Sequence, residues 1–173
     1  MLLLDNNLVS DYLDGAEPAR DFLKRHETDA WAVSSIVLYE AYMGALHNHI
    51  DGSPETIRQA ITSSMDVLEP TVRTADEAAT LQEELMERGV PADHPDTLIA
   101  ASAREHGAVF ATAEKHFWRD EVQSVLNVAE YRPGEPEVSL TISTDLECEY
   151  RCPTPGRSSS LAGTAAGRRR PRG

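Results

Sequence analysis

The sequence predicts an α/β fold: a central, mostly parallel sheet flanked by helices. Three observations carry that reading. Short apolar runs alternate with amphipathic stretches along residues 1–131, as repeated strand–helix–strand units do. The chain has 173 residues, 40% of them hydrophobic, which suits one domain with a sizeable core plus a tail. Acidic residues follow or adjoin the apolar runs, and ligands of such sheets bind at the carboxyl ends of the strands.

The elements follow in order. Leu2 to Leu4 reads as a short buried strand ending at Asp5. Asn6 and Asn7 read as a turn, and Leu8 to Leu13 as a helix stopped near Gly15. Pro18 suits the first turn of a second helix running to about His26. Ala30 to Val33 is the second strand, and Ser34 or Ser35 is a candidate cap for a helix to about Leu46. After the loop Asp51-Gly52-Ser53-Pro54, a helix is expected from Pro54 to about Met65.

Val67-Leu68 is a short strand closed by Pro70. Thr74 is the expected cap of a helix with Ala78, Leu81 and Leu85 at helical spacing and Gly89 past its end. Asp96 begins the next helix after a loop over Val90 to Pro95, and Gly107 stops it. Ala108 to Ala111 is a strand, His116 onward a short helix or turn, and Ser124 to Val128 the last strand.

Composition changes after residue 131. Residues 132–152 form an extension with some strand-like alternation, as in Val138-Ser139-Leu140-Thr141-Ile142. Residues 153–173 are rich in Pro, Gly, Ser, Ala and Arg and are expected to be disordered. Their end, Arg168-Arg169-Arg170-Pro171-Arg172, is basic. It reads either as an arm for an acidic partner or as an out-of-frame extension.

Charge and cysteine content exclude some classes. The net charge is −13, and residues 1–131 carry 24 acidic against 9 basic side chains. Only two lysines occur, Lys24 and Lys115. An acidic, lysine-poor surface suits very salty, halophilic cytoplasm and lacks the broad basic footprint of a nucleic-acid protein. High salt weakens the electrostatic part of such binding in any case. No apolar run approaches the ~20 residues of a membrane span, and the start lacks the form of a signal peptide, so a cytoplasmic location is expected. Cys148 and Cys152 are the only cysteines and do not make a zinc site by themselves.

Four acids stand beside core segments: Asp5, Glu40, Asp96 and Glu114. A carboxylate near a core is costly unless it is paired, hydrogen-bonded or metal-bound. Basic residues are too few nearby to pair all four, so a divalent ion is the simplest common partner. Mg²⁺ and Mn²⁺ prefer oxygen ligands, polarise a phosphate and acidify a water. Each acid also has a plainer reading. Asp5 suits an Asx-turn, Asp96 a helix dipole and Glu114 a solvated turn. Glu40 shares a helix face with Ile36, Val37, Ala41 and Gly44, where a solvated acid is out of place. Asp93 reads as a surface acid, His94 and His116 as structural, and Trp31 and Trp118 as packing residues.

Taken together, the motifs resemble those of PIN-domain ribonucleases. Leu3-Leu4-Asp5-Asn6-Asn7-Leu8-Val9 resembles the opening motif. Ser34 to Gly44 is similar to the second, with Glu40 four residues before a glycine. Asp96-Thr97-Leu98-Ile99-Ala100-Ala101 resembles the third, and Phe110 to Phe117 the fourth. Order and spacing look like the VapC toxins of type II toxin–antitoxin systems. The resemblance covers about residues 1–131 and implies a PIN-like three-layer sandwich.

It also implies that Asp5, Glu40, Asp96 and Glu114 are catalytic and hold Mg²⁺ (or Mn²⁺), although Glu114 stands where aspartate is usual. Asn6 would hydrogen-bond a carboxylate or the substrate, and Thr112 would orient a water or phosphate. The implied activity is endoribonuclease toxicity, held in check by a cognate antitoxin, in a homodimer formed through helices near residues 34–66. Two alternatives stay open: a stand-alone nuclease of RNA processing or DNA repair, and a catalytically degenerate PIN-like binding module.

Overall fold

Five strands, all parallel, form one sheet in the order β3-β2-β1-β4-β5 in the computed structural model, which describes residues 1–134. The strands are β1 (Leu2–Leu4), β2 (Trp31–Ser34), β3 (Asp66–Leu68), β4 (Val109–Thr112) and β5 (Val128–Glu130). Leu3 of β1 lies opposite Ala32 of β2 on one side and Phe110 of β4 on the other. Leu2, Leu3 and Leu4 are all buried. Successive strand residues point to opposite faces, so the burial of all three means that both faces of the sheet are covered. Helices supply that cover, as the α/β sandwich requires.

Local signals decide most helix boundaries. α1 (Asn6–Leu13) starts directly after β1, because the Asp5 side chain accepts from the Asn6 backbone N–H and caps the helix. The expected Asn6–Asn7 turn is therefore the first turn of a helix. Asx side chains favour turns and helix starts for the same reason, local bonding to backbone N–H groups. α2 (Glu17–Arg25) has Pro18 in its first turn. α3 (Ser35–Leu46) is capped by Ser34. Its Gly44 has a packing reason: a Cβ there would stand 2.8 Å from the Ile50 Cδ1. α4 (Pro54–Thr62) ends three residues earlier than the sequence suggests.

Three further boundaries differ from expectation. α5 (Val72–Glu87) is capped by Thr71, and Thr74 is the reciprocal member of its capping box. α6 (His94–Glu105) begins two residues before Asp96, with Pro95 and Asp96 in its first turn. Val125 and Leu126 do not lie in the last strand. They close the turn after α7 (Asp120–Gln123), and β5 starts at Val128. The Tyr131 hydroxyl then donates to Asp11 of α1 at 2.6 Å, fastening the end of the sheet edge.

α5 and α6 pack side by side and hold the loop between them. Gln82 donates to the Ala92 carbonyl at 2.9 Å and accepts the Ala92 N–H at 3.3 Å. Arg104 of α6 bonds Glu77 and Glu84 of α5, the latter at 2.6 Å. These contacts set the start of α6, and with it Asp96. The readings made for residues 135–173, including Cys148, Cys152 and the basic end, lie outside the described residues.

Candidate active site

The sheet order reverses between β1 and β4: successive strands run outward to β3 on one side and to β5 on the other. A crevice opens at such a switch point, at the carboxyl ends of the strands. Asp5 follows β1, and Thr112 ends β4. Glu40 comes from α3, which leaves the carboxyl end of β2, and Asp96 from the first turn of α6.

Asp5 is the anchored member. It is buried, its Oδ1 accepts from the Asn6 N–H at 2.8 Å, and its Oδ2 accepts from the Thr112 hydroxyl at 2.6 Å. The Thr112 oxygen in turn accepts the Glu114 N–H at 3.0 Å. That hydroxyl is aimed at Asp5, so Thr112 serves as the clasp of a carboxylate. Glu114 is exposed, and its Oε1 accepts from Asn7 Nδ2 at 3.2 Å. Asn6 presents an acceptor instead: its buried Oδ1 has no hydrogen-bond partner.

The electrostatics join these groups. Burial pushes the Asp5 carboxyl above its ordinary range, and the Glu114 charge adds to this, against the lowering by the Thr112 and Asn6 bonds. Burial also raises Glu40, helped by the charges of Asp5 and Asp96. Asp96 is raised by burial, then by Asp5, Glu114 and Asp93, with His116 opposing. The sequence-predicted acids thus act on one another across one site, and no Lys or Arg charge counters the shifts of Asp5, Glu40 or Asp96. Glu40, Asp93, His94 and Asp96 also line an open groove of about 460 Å³.

Among the described residues, no three His, Cys, Asp or Glu side chains are drawn tightly enough to enclose an ion. The donor chemistry still fits a hard divalent cation: carboxylate oxygens, partly buried, each raised by its neighbours' negative charge. Mg²⁺ commonly keeps several waters and takes only one or two carboxylates directly, which asks less of the protein than a closed cage.

Sequence reasoning missed two members of the surroundings. Asn7, read as part of a turn, holds Glu114. Its signal was its place one turn-residue beyond the capping acid. His116 has a buried Nε2 without a partner and acts on Asp96. Nothing in its spacing marked it apart from other histidines.

An acidic crevice at the switch point of a five-stranded parallel sheet defines an α/β domain with clustered carboxylates at the carboxyl ends of its strands. The family model of the PIN domain matches residues 2–120, and the chain belongs to that family. Several solved complexes contain chains of similar fold. In VapBC2 from Rickettsia felis, bound to a DNA fragment from its promoter, the TM-score is 0.61 at 19% identity, covering 75% of this chain and 98% of that one. FitAcB from Neisseria gonorrhoeae gives 0.60 at 21% identity, covering 77% and 98%. DNA-bound VapBC from Salmonella typhimurium gives 0.57 at 24% identity, covering 75% and 97%. At these identities the likeness is one of fold. No curated protein matches the chain. No described helix is long and apolar enough to cross a membrane.

Proposed function

We propose that this PIN-domain chain is a metal-dependent endoribonuclease and the toxin of a type II toxin–antitoxin pair. One observation carries the reading: Asp5, Glu40 and Asp96 are each raised by burial at the switch point, the Asp5 charge adds to the rise of the other two, and no Lys or Arg offsets them. Such a group is stable in ionised form when a divalent cation joins it. Asp5, Glu40 and Asp96 would hold Mg²⁺ or Mn²⁺, with Glu114 reaching it directly or through water. When bound, the ion would supply charge neutralisation at the scissile phosphate and a more acidic water.

The chain's own groups do the rest. Thr112 and the Asn6 N–H fix Asp5 in one orientation. Asn7 keeps Glu114 beside the cleft. The buried Oδ1 of Asn6 is an acceptor left for an ordered water. Similar folds in VapBC and FitAB complexes support an antitoxin partner, whose basic side chain would enter the acidic cleft. α3 exposes Tyr39 and Leu46, which supports a second copy packing there. The acidic, lysine-poor composition fits work in concentrated salt in the cytoplasm.

The test is RNA cleavage by the purified chain with millimolar Mn²⁺ or with EDTA, beside Asp5→Asn. Cleavage only by wild type with metal is expected. A folded wild type that leaves RNA intact in Mn²⁺ would overturn the nuclease reading. Toxicity on expression that a small protein encoded beside this chain relieves would separate a toxin from a stand-alone nuclease.

A further inference from the structure

An RNA strand approaching this cleft meets a charge problem. Residues 1–134 carry 24 Asp and Glu against ten Lys and Arg. Several of the ten are engaged elsewhere: Arg58 by Glu55, Arg88 by the Glu84 carbonyl and the Ser124 hydroxyl, and Arg104 by Glu77 and Glu84. Lys24 and Arg25 sit in the last turn of α2, which leads into the amino end of β2, the end of the sheet away from the cleft.

Three cations are placed differently. Lys115 and Arg119 lie in the connection from β4 to α7, and Arg132 lies just past β5. β4 and β5 are parallel to β1, so all three follow carboxyl strand ends, as Asp5 does. The Lys115 ammonium is exposed and without a partner among the described residues. Arg119 has only a loose contact, 3.7 Å from Glu121, with both side chains about half exposed. The Arg132 guanidinium lies 5.2 Å from the centre of the Trp118 ring and bonds Glu130. The Trp118 indole N–H donates to the Thr112 carbonyl at 3.1 Å. The arginine-on-tryptophan stack is thereby fastened to the residue whose hydroxyl holds Asp5.

This combination suits a single nucleic-acid strand. Lys and Arg contact backbone phosphates without reading sequence. Aromatic rings and guanidinium planes stack unpaired bases. Resting on the ribonuclease reading, the geometry points to a substrate-holding rim. Lys115 and Arg119 take phosphates of single-stranded RNA beside the cleft, and the Trp118–Arg132 stack offers the plane on which a neighbouring base lies. The rim gives an acidic body a way to hold a polyanion: Lys115 and Arg119 stand on the connection that leaves the carboxyl end of β4.

The experiment measures binding of a fluorescein-labelled, mixed-sequence single-stranded RNA to the full-length Asp5→Asn chain by anisotropy across a salt series. Lys115→Gln and Arg119→Gln are each expected to weaken binding on the order of tenfold, as loss of a charged hydrogen bond does. Each should also flatten the log–log salt slope by about 0.7, the value for one phosphate contact on a single strand. Lys115→Arg should restore the slope. Arg132→Gln and Trp118→Phe should weaken binding with less change in slope, and Lys24→Gln should change neither. Wild-type affinity and slope in both Lys115→Gln and Arg119→Gln would overturn the rim. RNA cleavage by the wild-type chain is scored separately. Cleavage with an unaltered rim phenotype sinks the rim alone, and binding without cleavage sinks the nuclease alone. Absence of both sinks both.

Discussion

The Thr112 hydroxyl donates to the Asp5 carboxylate at 2.6 Å, across 107 positions of sequence, and joins the ends of two neighbouring strands. Thr112→Val leaves that buried oxygen without its donor. We expect a loss of about 1–3 kcal/mol, the penalty of an unsatisfied buried polar group, read by urea denaturation. Thr112→Ser should recover most of it. RNA cleavage should fall in the valine variant and return in the serine variant.

The raised carboxyls make stability depend on pH in a definite direction. Asp5, Glu40 and Asp96 bind protons more tightly folded than unfolded, mainly because burial disfavours their charge. Their contribution is fully present below the ordinary carboxylate values of 3.8 and 4.5 and is lost as pH rises through the raised folded values. The metal-free protein should therefore lose this part of its stability as pH rises above the ordinary carboxylate range. Asp5→Asn and Asp96→Asn should flatten that dependence in melting curves taken from pH 4.5 to 7.5.

Divalent metal should reverse that loss. At about 100 times its dissociation constant, an ion that binds only the folded chain stabilises it by about 2.7 kcal/mol. Mn²⁺ titration followed by thermal melting should show the shift in wild type and not in Asp96→Asn. Identical titrations in the two chains would remove Asp96 from the ligand set.

Glu114 and Asn7 form a hydrogen bond at 3.2 Å at the exposed side of the cleft. Asn7→Ala frees Glu114 without touching Asp5. Its cleavage rate should fall on the order of tenfold, the rate equivalent of one hydrogen bond, with melting nearly unchanged. Asp5→Asn should be far more damaging to rate.

Arg104 clasps Glu77 and Glu84 and ties α6 to α5. Arg104→Met should cost about 1.5–3 kcal/mol, the range for hydrogen bonds to charged groups. Because Asp96 rides on the start of α6, the same variant should weaken the Mn²⁺ shift. Equal metal response in the two chains would separate the clasp from the site.

Much of this was legible in the sequence, for physical reasons that differ by element. Leu2-Leu3-Leu4 is apolar on both faces, and only a strand covered on both sides uses such a run. Glu40 betrayed itself by its apolar helix neighbours. Asn6 and Asn7 did not, since their side chains suit a turn and a helix start alike. The run Ser124 to Val128 looked like a strand because Val125 and Leu126 pack on the core as turn residues. Gln82 was invisible, because its two bonds reach a loop ten positions away whose course only the tertiary structure sets. The site residues could be proposed one by one, but their mutual repulsion is a property of the assembled crevice.

The position of β4 beside β1 has a consequence for the time course of synthesis. Asp5 is made more than a hundred residues before its clasp Thr112. A nascent chain that has emerged no further than α6 holds Asp5, Glu40 and Asp96, yet lacks the strand that orders Asp5. Pairing so distant in sequence is slow to form, and domains complete it as units during elongation. Any activity of the crevice that needs Asp5 held in place is thus deferred until β4 docks.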